Sequence, residues 1–230
     1  MKSTKLKTFL IIACLVILTA CATRINVSVS SLQDSTASVG SRVLIYPGDP
    51  NLDPSDLLYQ EFAHKVETAL QSQGFDVVTN LDDADQIVFL TYGISDPQTQ
   101  SIAIPQYGRT GVRSATTTGT VNVNPGQLHG RSTTTYQYDY GITGYTQTQR
   151  TVYTRVVMLA GYDWEYFTRT EQLRALWQTQ IVSTGSSGDI RRVFPYLMAA
   201  AEPHLGRNTG QAVSVTVREN APEVRPYLGD

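Results

Sequence analysis

The sequence predicts an α+β fold: a mostly antiparallel sheet, two main helices on one face, and a long polar β-hairpin insertion. Three observations lead there. Strand-like runs outnumber the helical stretches, and only two segments hold a helical period, which argues against the regular alternation of a doubly wound sheet. Between residues 95 and 150 the composition turns to Thr, Gly, Tyr, Gln and Ser, with few aliphatics and few charges. The chain of 230 residues is long enough for one domain with a sizeable core and short for two.

The elements follow in order. Residues 21–41 read as a polar, Ser-rich tether, in which a weak alternation at Ile25, Val27 and Val29 allows an early strand. A single domain is expected over 42–218. It starts at Val43-Leu44-Ile45-Tyr46, a short apolar run closed by Pro47-Gly48, which predicts a buried strand and a loop. Asp53 as cap, Pro54 and Asp56 in the first turn, and Leu58, Phe62, Val66, Ala69 and Leu70 on one face predict a helix that Gly74 stops. Strands resume at 75–79 and 86–94; the second is nearly continuous in apolar character, as a central strand covered on both faces would be.

In the insertion, Tyr136, Tyr138 and Tyr140 alternate with polar residues, as do Thr146, Thr148, Thr151 and Tyr153. This period of two around Asn124-Pro125-Gly126 predicts a hairpin for 131–158, preceded by a mobile loop over 95–113. A disordered low-complexity loop is the alternative. Beyond it, 151–162 and 173–183 form an antiparallel pair. A second helix then carries Ile190, Val193, Phe194, Leu197, Met198, Ala201 and Leu205 on one stripe, with a kink or separate turn expected before Phe194 because Pro195 interrupts the ladder. Val213, Val215 and Val217 alternate in a last strand, and residues 219–230 read as a polar tail.

The N-terminus carries the sharpest signal. Lys2, Lys5 and Lys7 precede an apolar stretch over 9–18 and then Leu18-Thr19-Ala20-Cys21. The apolar stretch falls short of the ~20 residues a spanning helix needs, so the layout is that of a signal peptide. Leu-Thr-Ala-Cys resembles a bacterial lipobox. The resemblance implies cleavage between Ala20 and Cys21, removal of residues 1–20, and acyl chains, palmitate among them, on Cys21 as the mature N-terminus. One chain would hold only marginally, at ~0.8 kcal/mol per buried methylene, so the several chains such lipoproteins carry imply stable attachment. Ala22, where an Asp would signal inner-membrane retention, implies the outer membrane, with the periplasm-facing leaflet expected and surface display left open. The competing reading is an ordinary signal peptide that happens to end on a cysteine.

Cleavage changes the balance of charge. Of 18 Lys plus Arg, Lys2, Lys5 and Lys7 leave, so 15 cations face 20 Asp plus Glu, a balance of −5. Lys65 is then the sole lysine. A mildly acidic chain without a basic stripe is not expected to bind nucleic acid. Cys14 departs with the peptide and Cys21 is acylated, which leaves neither a disulfide nor a thiol nucleophile in the folded part.

Candidate chemistry is sparse. The aspartates at 76, 82, 83 and 85 lack the alternating ligands, Gly and closing Glu of a calcium loop and read as a solvated turn, so no metal is expected. Gly185-Ser186-Ser187-Gly188 before a helix has the look of a phosphate nest but lacks the P-loop Lys; a strand-to-helix turn explains it. Asp163 and Glu165 flank Trp164 at strand spacing, where they fit a sugar site or a charged turn. Trp164 and Trp177 read as packing residues. His64, His129 and His204 fall in three different elements, with no nucleophile motif beside them. No catalytic residue and no cofactor are expected.

Val43-Leu44-Ile45-Tyr46-Pro47-Gly48, the run from Ala84 through Ile94, and the run from Leu176-Trp177 through Pro195 resemble segments of uncharacterised bacterial lipoproteins that carry a domain of unknown function and a Thr/Gly/Tyr-rich insertion. The resemblance spans most of the mature chain and brings no catalytic residue. A lipid anchor paired with a Tyr-rich projection, with no catalytic constellation in view, predicts a non-enzymatic binding or scaffolding lipoprotein, held to the membrane by acyl chains on Cys21, with an envelope protein or glycan as partner. Tyr136, Tyr138, Tyr140, Tyr145 and Tyr153 form the candidate interaction surface, because tyrosine gives a large contact area at low entropic cost. A structural subunit of a homo-oligomer is the second reading, and an envelope glycan or peptide hydrolase the third.

Overall fold

Strand β1 (Arg24–Gln33) begins the computed structural model, which describes residues 24–37, 40–124 and 127–229. The alternation at Ile25, Val27 and Val29 is stronger than its Ser-rich setting suggests. β1 lies between β7 (Ala175–Gly185) and β8 (Val213–Arg218) and pairs antiparallel with both. Val27 and Val29 are buried, and Ser31, buried on the same face, shares a 2.7 Å hydrogen bond with Thr179. The expectation of a tether over 21–41 is therefore corrected, and the folded domain includes Arg24 instead of starting at residue 42.

The fold is mixed α+β and built on mostly one sheet. Its path is β3 (Asp76–Val77), β2 (Arg42–Pro47), β4 (Gln86–Ile94), β6 (Gln127–Asp163), β7, β1 and β8. β2 (Arg42–Pro47) pairs in parallel with β4 (Gln86–Ile94), Val43 opposite Gln86, and with the two-residue β3 (Asp76–Val77). Every other pairing on the path is antiparallel. The parallel part arises because helix α1 (Leu57–Ser72) carries the chain back over the sheet between β2 and β4, a crossover that periodicity alone does not announce. Val88 and Leu90 of β4 are wholly buried while Ile87 and Phe89 on its other face are half-buried, so the strand is covered more thoroughly on one face than on both.

Asp56, one turn later than Asp53, caps α1 by accepting from the Leu58 and Tyr59 N–H groups at 2.9 and 3.0 Å. Asp53 instead closes a local turn with Ser55. At the far end Gly74 takes φ +89°, its N–H bonding Gln71 O and the Phe75 N–H bonding Leu70 O, a pair of bonds that ties off the last carbonyls. Helix α3 (Ile190–Ala201) is capped by Asp189 and runs unbroken through Pro195, against the expected interruption. Proline removes one backbone bond there, but Val193, Phe194, Leu197 and Met198 are all buried around it and hold the helical path. The Phe62 ring of α1 stacks on Phe194 at 3.9 Å, and Glu61 bridges Lys65 (3.2 Å) to Arg191 (2.6 Å) between the two helices. A short helix α2 (Trp164–Thr170) fills the connection before β7, and Glu171 closes it in the left-handed region at φ 57°.

A buried polar chain crosses the core. The Trp177 indole N–H donates to Gln86 Oε1 at 2.8 Å, and Gln86 Nε2 donates to Gly40 O at 2.5 Å. Both side chains are excluded from water. Gly161, opposite Trp177 in the ladder, leaves them room: a Cβ there would lie 2.7 Å from Gln86 Oε1 and closer still to the indole nitrogen. The last segment is also part of the core. Val224 and Tyr227, in the turn Pro222–Tyr227, are buried, and the Tyr227 hydroxyl donates to Glu202 at 2.6 Å. The reading of 219–230 as a polar tail is corrected by that anchorage.

By internal packing, Gln98–Thr151 is a compact unit distinct from the residues on either side of it. It holds β5 (Gln98–Asn124) and the first part of β6 (Gln127–Asp163), which pair with each other. Thr117 bonds Thr134 at 2.9 Å, Ser114 bonds Gln137 at 3.1 Å and Gln106 bonds Thr146 at 2.6 Å, so rising numbers in β5 meet falling numbers in β6 and the strands are antiparallel. Strand structure starts at Gln98, which overturns the mobile loop expected over 95–113. Cross-strand Thr, Gln and Ser bonds supply an order that an aliphatic pattern would otherwise signal.

Candidate functional site

Tyr136, Tyr138 and Tyr140 occupy alternate positions of β6 and so share one face of the Gln98–Thr151 unit. They are 52 %, 36 % and 70 % exposed, a surface that no element of the described chain covers. Two of the rings, Tyr136 and Tyr138, tilt against each other at 6.3 Å. Arg109 reaches across from β5: its guanidinium sits 4.1 Å over the Tyr138 ring, and its Nε donates to the Tyr140 hydroxyl at 3.4 Å. That hydrogen bond raises the guanidinium pKa above its ordinary value, so Arg109 holds a positive charge above the aromatic face. Sequence reasoning missed Arg109, because its partners are about thirty residues away; only the antiparallel register brings them together.

The other two tyrosines separate from this group. Tyr145 is 64 % exposed and takes part in neither the ring pair nor the Arg109 contacts. Tyr153 belongs to the other unit, where it is half-buried with its ring under Gly188; a Cβ on that glycine would meet the ring at 3.0 Å. Of the five tyrosines expected to form the interaction surface, Tyr136, Tyr138 and Tyr140 share a face, and Tyr153 lies in the other unit. Cys21 and the Ala20–Cys21 junction lie outside the described residues.

The Gly185-Ser186-Ser187-Gly188 turn presents carbonyls, where a phosphate nest presents N–H groups. Arg155, 3 % exposed, donates through Nη1 to Ser187 O at 2.9 Å and through Nε to Ser183 O at 3.4 Å, and burial lowers its pKa. Gly185 leaves room for that approach, since a Cβ would fall 2.8 Å from Arg155 Nη2. The Asp189 carboxylate already occupies the helix terminus, accepting from Arg192 N–H at 3.2 Å. The turn's chemistry is spent on structure.

The acidic pair at Asp163 and Glu165 is dispersed as well. Asp163 caps α2 by accepting from Tyr166 N–H at 2.9 Å, while the exposed Glu165 lies 3.8 Å from Arg169. Trp164 stacks on Phe167 at 5.3 Å, and Trp177 is buried. His64 lies on the surface of α1, 3.4 Å from Glu67, and His204 sits in the turn Glu202–His204; of the three histidines, the His129 side chain lies outside the described set. Asp85 is bound to Arg42 at 2.7 Å. Among the described residues, no group of three His, Cys, Asp or Glu side chains is close enough to hold a metal ion, and no helix is long and apolar enough to cross a membrane. An open cavity of about 350 Å³ lies between β2 and α1, lined in part by Tyr46, Pro54, Tyr59 and His64. A second, of about 430 Å³, lies over β1, β7 and β8 and is lined by small polar and valine side chains such as Ser28, Thr184 and Val215. Neither brings a nucleophile to a base.

No family model matches the chain, and no curated protein matches it. Among solved structures it is similar to a PDZ domain protein from Parabacteroides distasonis ATCC 8503, with 12 % identity and a TM-score of 0.41. The match covers 86 % of this chain and 40 % of that one, so the chain spans well under half the length of that protein. A likeness of this size fixes neither fold nor ligand.

Proposed function

We propose that this chain is a lipoprotein of the outer membrane, facing the periplasm, that binds or scaffolds an envelope component without catalysing a reaction. In this reading it belongs with the lipoproteins it resembles. Cys21 carries the acyl chains, α1 and α3 are the two main helices on one face of the sheet, and the paired β5 and β6 are a long polar hairpin that presents the contact surface. The observation that carries the reading is the exposed group of Tyr136, Tyr138 and Tyr140 with Arg109 laid over it. Aromatic and Arg side chains are the residues that dominate recognition surfaces, and here they are gathered on one face instead of buried. Charge supports the exclusion of nucleic acid, since the mature balance is acidic.

Two experiments test it. Metabolic labelling with palmitate marks the wild-type chain and not Cys21→Ser; a labelled Cys21→Ser chain or an unlabelled wild type would remove the anchor from the reading. Cross-linking in intact cells, compared between wild type and the Tyr136→Ala, Tyr138→Ala, Tyr140→Ala triple variant, should lose its partner band in the variant. An unchanged band would remove the tyrosine face from the reading.

A further inference from the structure

The Gln98–Thr151 unit has an unusual construction. β5 is 27 residues long, which at ~3.3 Å per residue makes a ribbon of about 90 Å. Over this unit the ribbon is two strands wide: β5 pairs with β6 alone, and the pairing of β6 with β4 and β7 is confined to residues 153–163. Both long edges therefore present free backbone N–H and C=O groups among the described residues. Side chains on both faces are exposed almost throughout. A two-stranded ribbon with neither face packed is marginal in water. Here the ribbon is further thinned by Gly108, Gly111, Gly119, Gly141 and Gly144, which contribute no cross-strand side-chain contact of their own.

Proteins that must leave a strand edge open protect it with lysines, prolines or bulges. These edges carry almost none of that protection. The unit has no lysine, one carboxylate (Asp139) and four arginines, and Pro105 is its one proline away from the turn. Arg109 is occupied by the tyrosine face and Arg113 by Asp139 at 2.8 Å, so two of the four cations are already satisfied within the ribbon. What the edges do carry is Thr, Gln, Ser and Tyr, residues that pair with their own kind across strands, as Thr117 and Thr134 already do.

We propose that the free edges of the β5–β6 ribbon pair with the same ribbon in further copies of this chain, β6 of one copy beside β5 of the next. Topology selects this occupant over a different protein. The two edges have matching length and opposite direction, so one rotation that lays a second ribbon beside the first continues the antiparallel ladder without a break. A single added peptide strand would cover one edge and leave the other open. Repetition of one heterologous contact covers both edges in every copy, and a rotation that closes produces a ring with no edge at all. The tyrosine face and its Arg109 then repeat around the assembly as a band. This inference deepens the scaffold reading in one respect, by naming a second copy as what the insertion contacts.

The test uses the full chain purified from cells, alongside full-length Cys21→Ser to separate protein contacts from association of acyl chains. Native mass spectrometry should give the same multiple of the chain mass for both. Amide exchange should then show that residues 98–118 and 131–150 are protected at successive positions. In a lone ribbon only alternate amides face a partner, and the rest exchange freely. The variant Val112→Lys with Tyr145→Lys places charges at sites 54 % and 64 % exposed in the single ribbon, outside the buried core. It should shift the mass to one chain while circular dichroism stays unchanged. A monomeric wild type with alternating protection would overturn the proposal. So would an assembly lost in Cys21→Ser, or one in which the outward amides still exchange freely, since either would place the contact elsewhere. If a monomer still captures a different envelope protein through its tyrosine face, self-pairing fails and the scaffold reading stands.

Discussion

Gly161→Ala probes the buried polar chain at its tightest point. The added methyl would meet Gln86 Oε1 at 2.7 Å and the indole of Trp177 still closer, and neither neighbour is the free end of a mobile side chain. Trp177 is fixed by its hydrogen bond to Gln86, which is itself tied to Gly40 O. Relief therefore requires the indole to move. Overpacking a core by one methyl costs about 1–3 kcal/mol, and loss of the Trp177–Gln86 bond adds about 1 kcal/mol. The total is about 2–4 kcal/mol, which for a domain of this size lowers Tm by roughly 4–16 °C. Thermal unfolding followed by tryptophan fluorescence measures it. Trp177→Phe removes the nitrogen that the methyl meets, so Gly161→Ala should cost about 1–2 kcal/mol less in that background, a coupling that additive sites would not show. Equal costs in both backgrounds, or a Gly161→Ala protein as stable as wild type, would refute the packing argument.

Three further outcomes are expected. Tyr227→Phe deletes the 2.6 Å bond to Glu202 and should cost about 1–2 kcal/mol by urea denaturation; no change would return the last residues to the status of a loose tail. The side-chain and backbone hydrogen bonds from Arg42 hold the Asp85 carboxyl below its ordinary value of 3.8, so its contribution is present above that pH and is lost as pH falls through the lower, folded value. The stability gap between wild type and Asp85→Asn should therefore close in acid, and a gap constant with pH would contradict the pairing. Burial pushes Tyr59 up to about 12, with its stabilising effect intact below the unfolded value of 10.0 and lost as pH rises through the folded one. Tyr59→Phe should leave the ultraviolet titration unaltered around pH 10 and reduce its amplitude near pH 12.

What could be read in advance depended on where each element draws its stability. Helix α1 was legible because its apolar stripe and Gly74 are local, although the cap proved to be Asp56 and not Asp53, and β4 because its apolar run is continuous. Strand β1 was half-legible: three apolar residues alternate in it, but the pairing that buries them comes from β7 and β8, far along the chain. The turn holding Val224 and Tyr227 was hidden for the same reason. Within the insertion, alternation announced Tyr136, Tyr138 and Tyr140 as one face, yet gave no means of telling that Tyr153 sits in a different unit or that Arg109 joins the three. The extended path from Gln98 was masked by Pro105 and the scarcity of aliphatics, because its order rests on cross-strand hydrogen bonds.

The placement of β1 also sets a schedule. The first strand of the described chain closes the sheet between two of the last, pairing Val27 with Ser183 and with Val215. Loop closure over so many residues is slow, and it cannot begin until the distal strands have been made. Because synthesis delivers the N-terminus first, β1 has no partner to pair with until β7 and β8 have been made. The strand that is made first among those described is thus among the last to settle into the sheet.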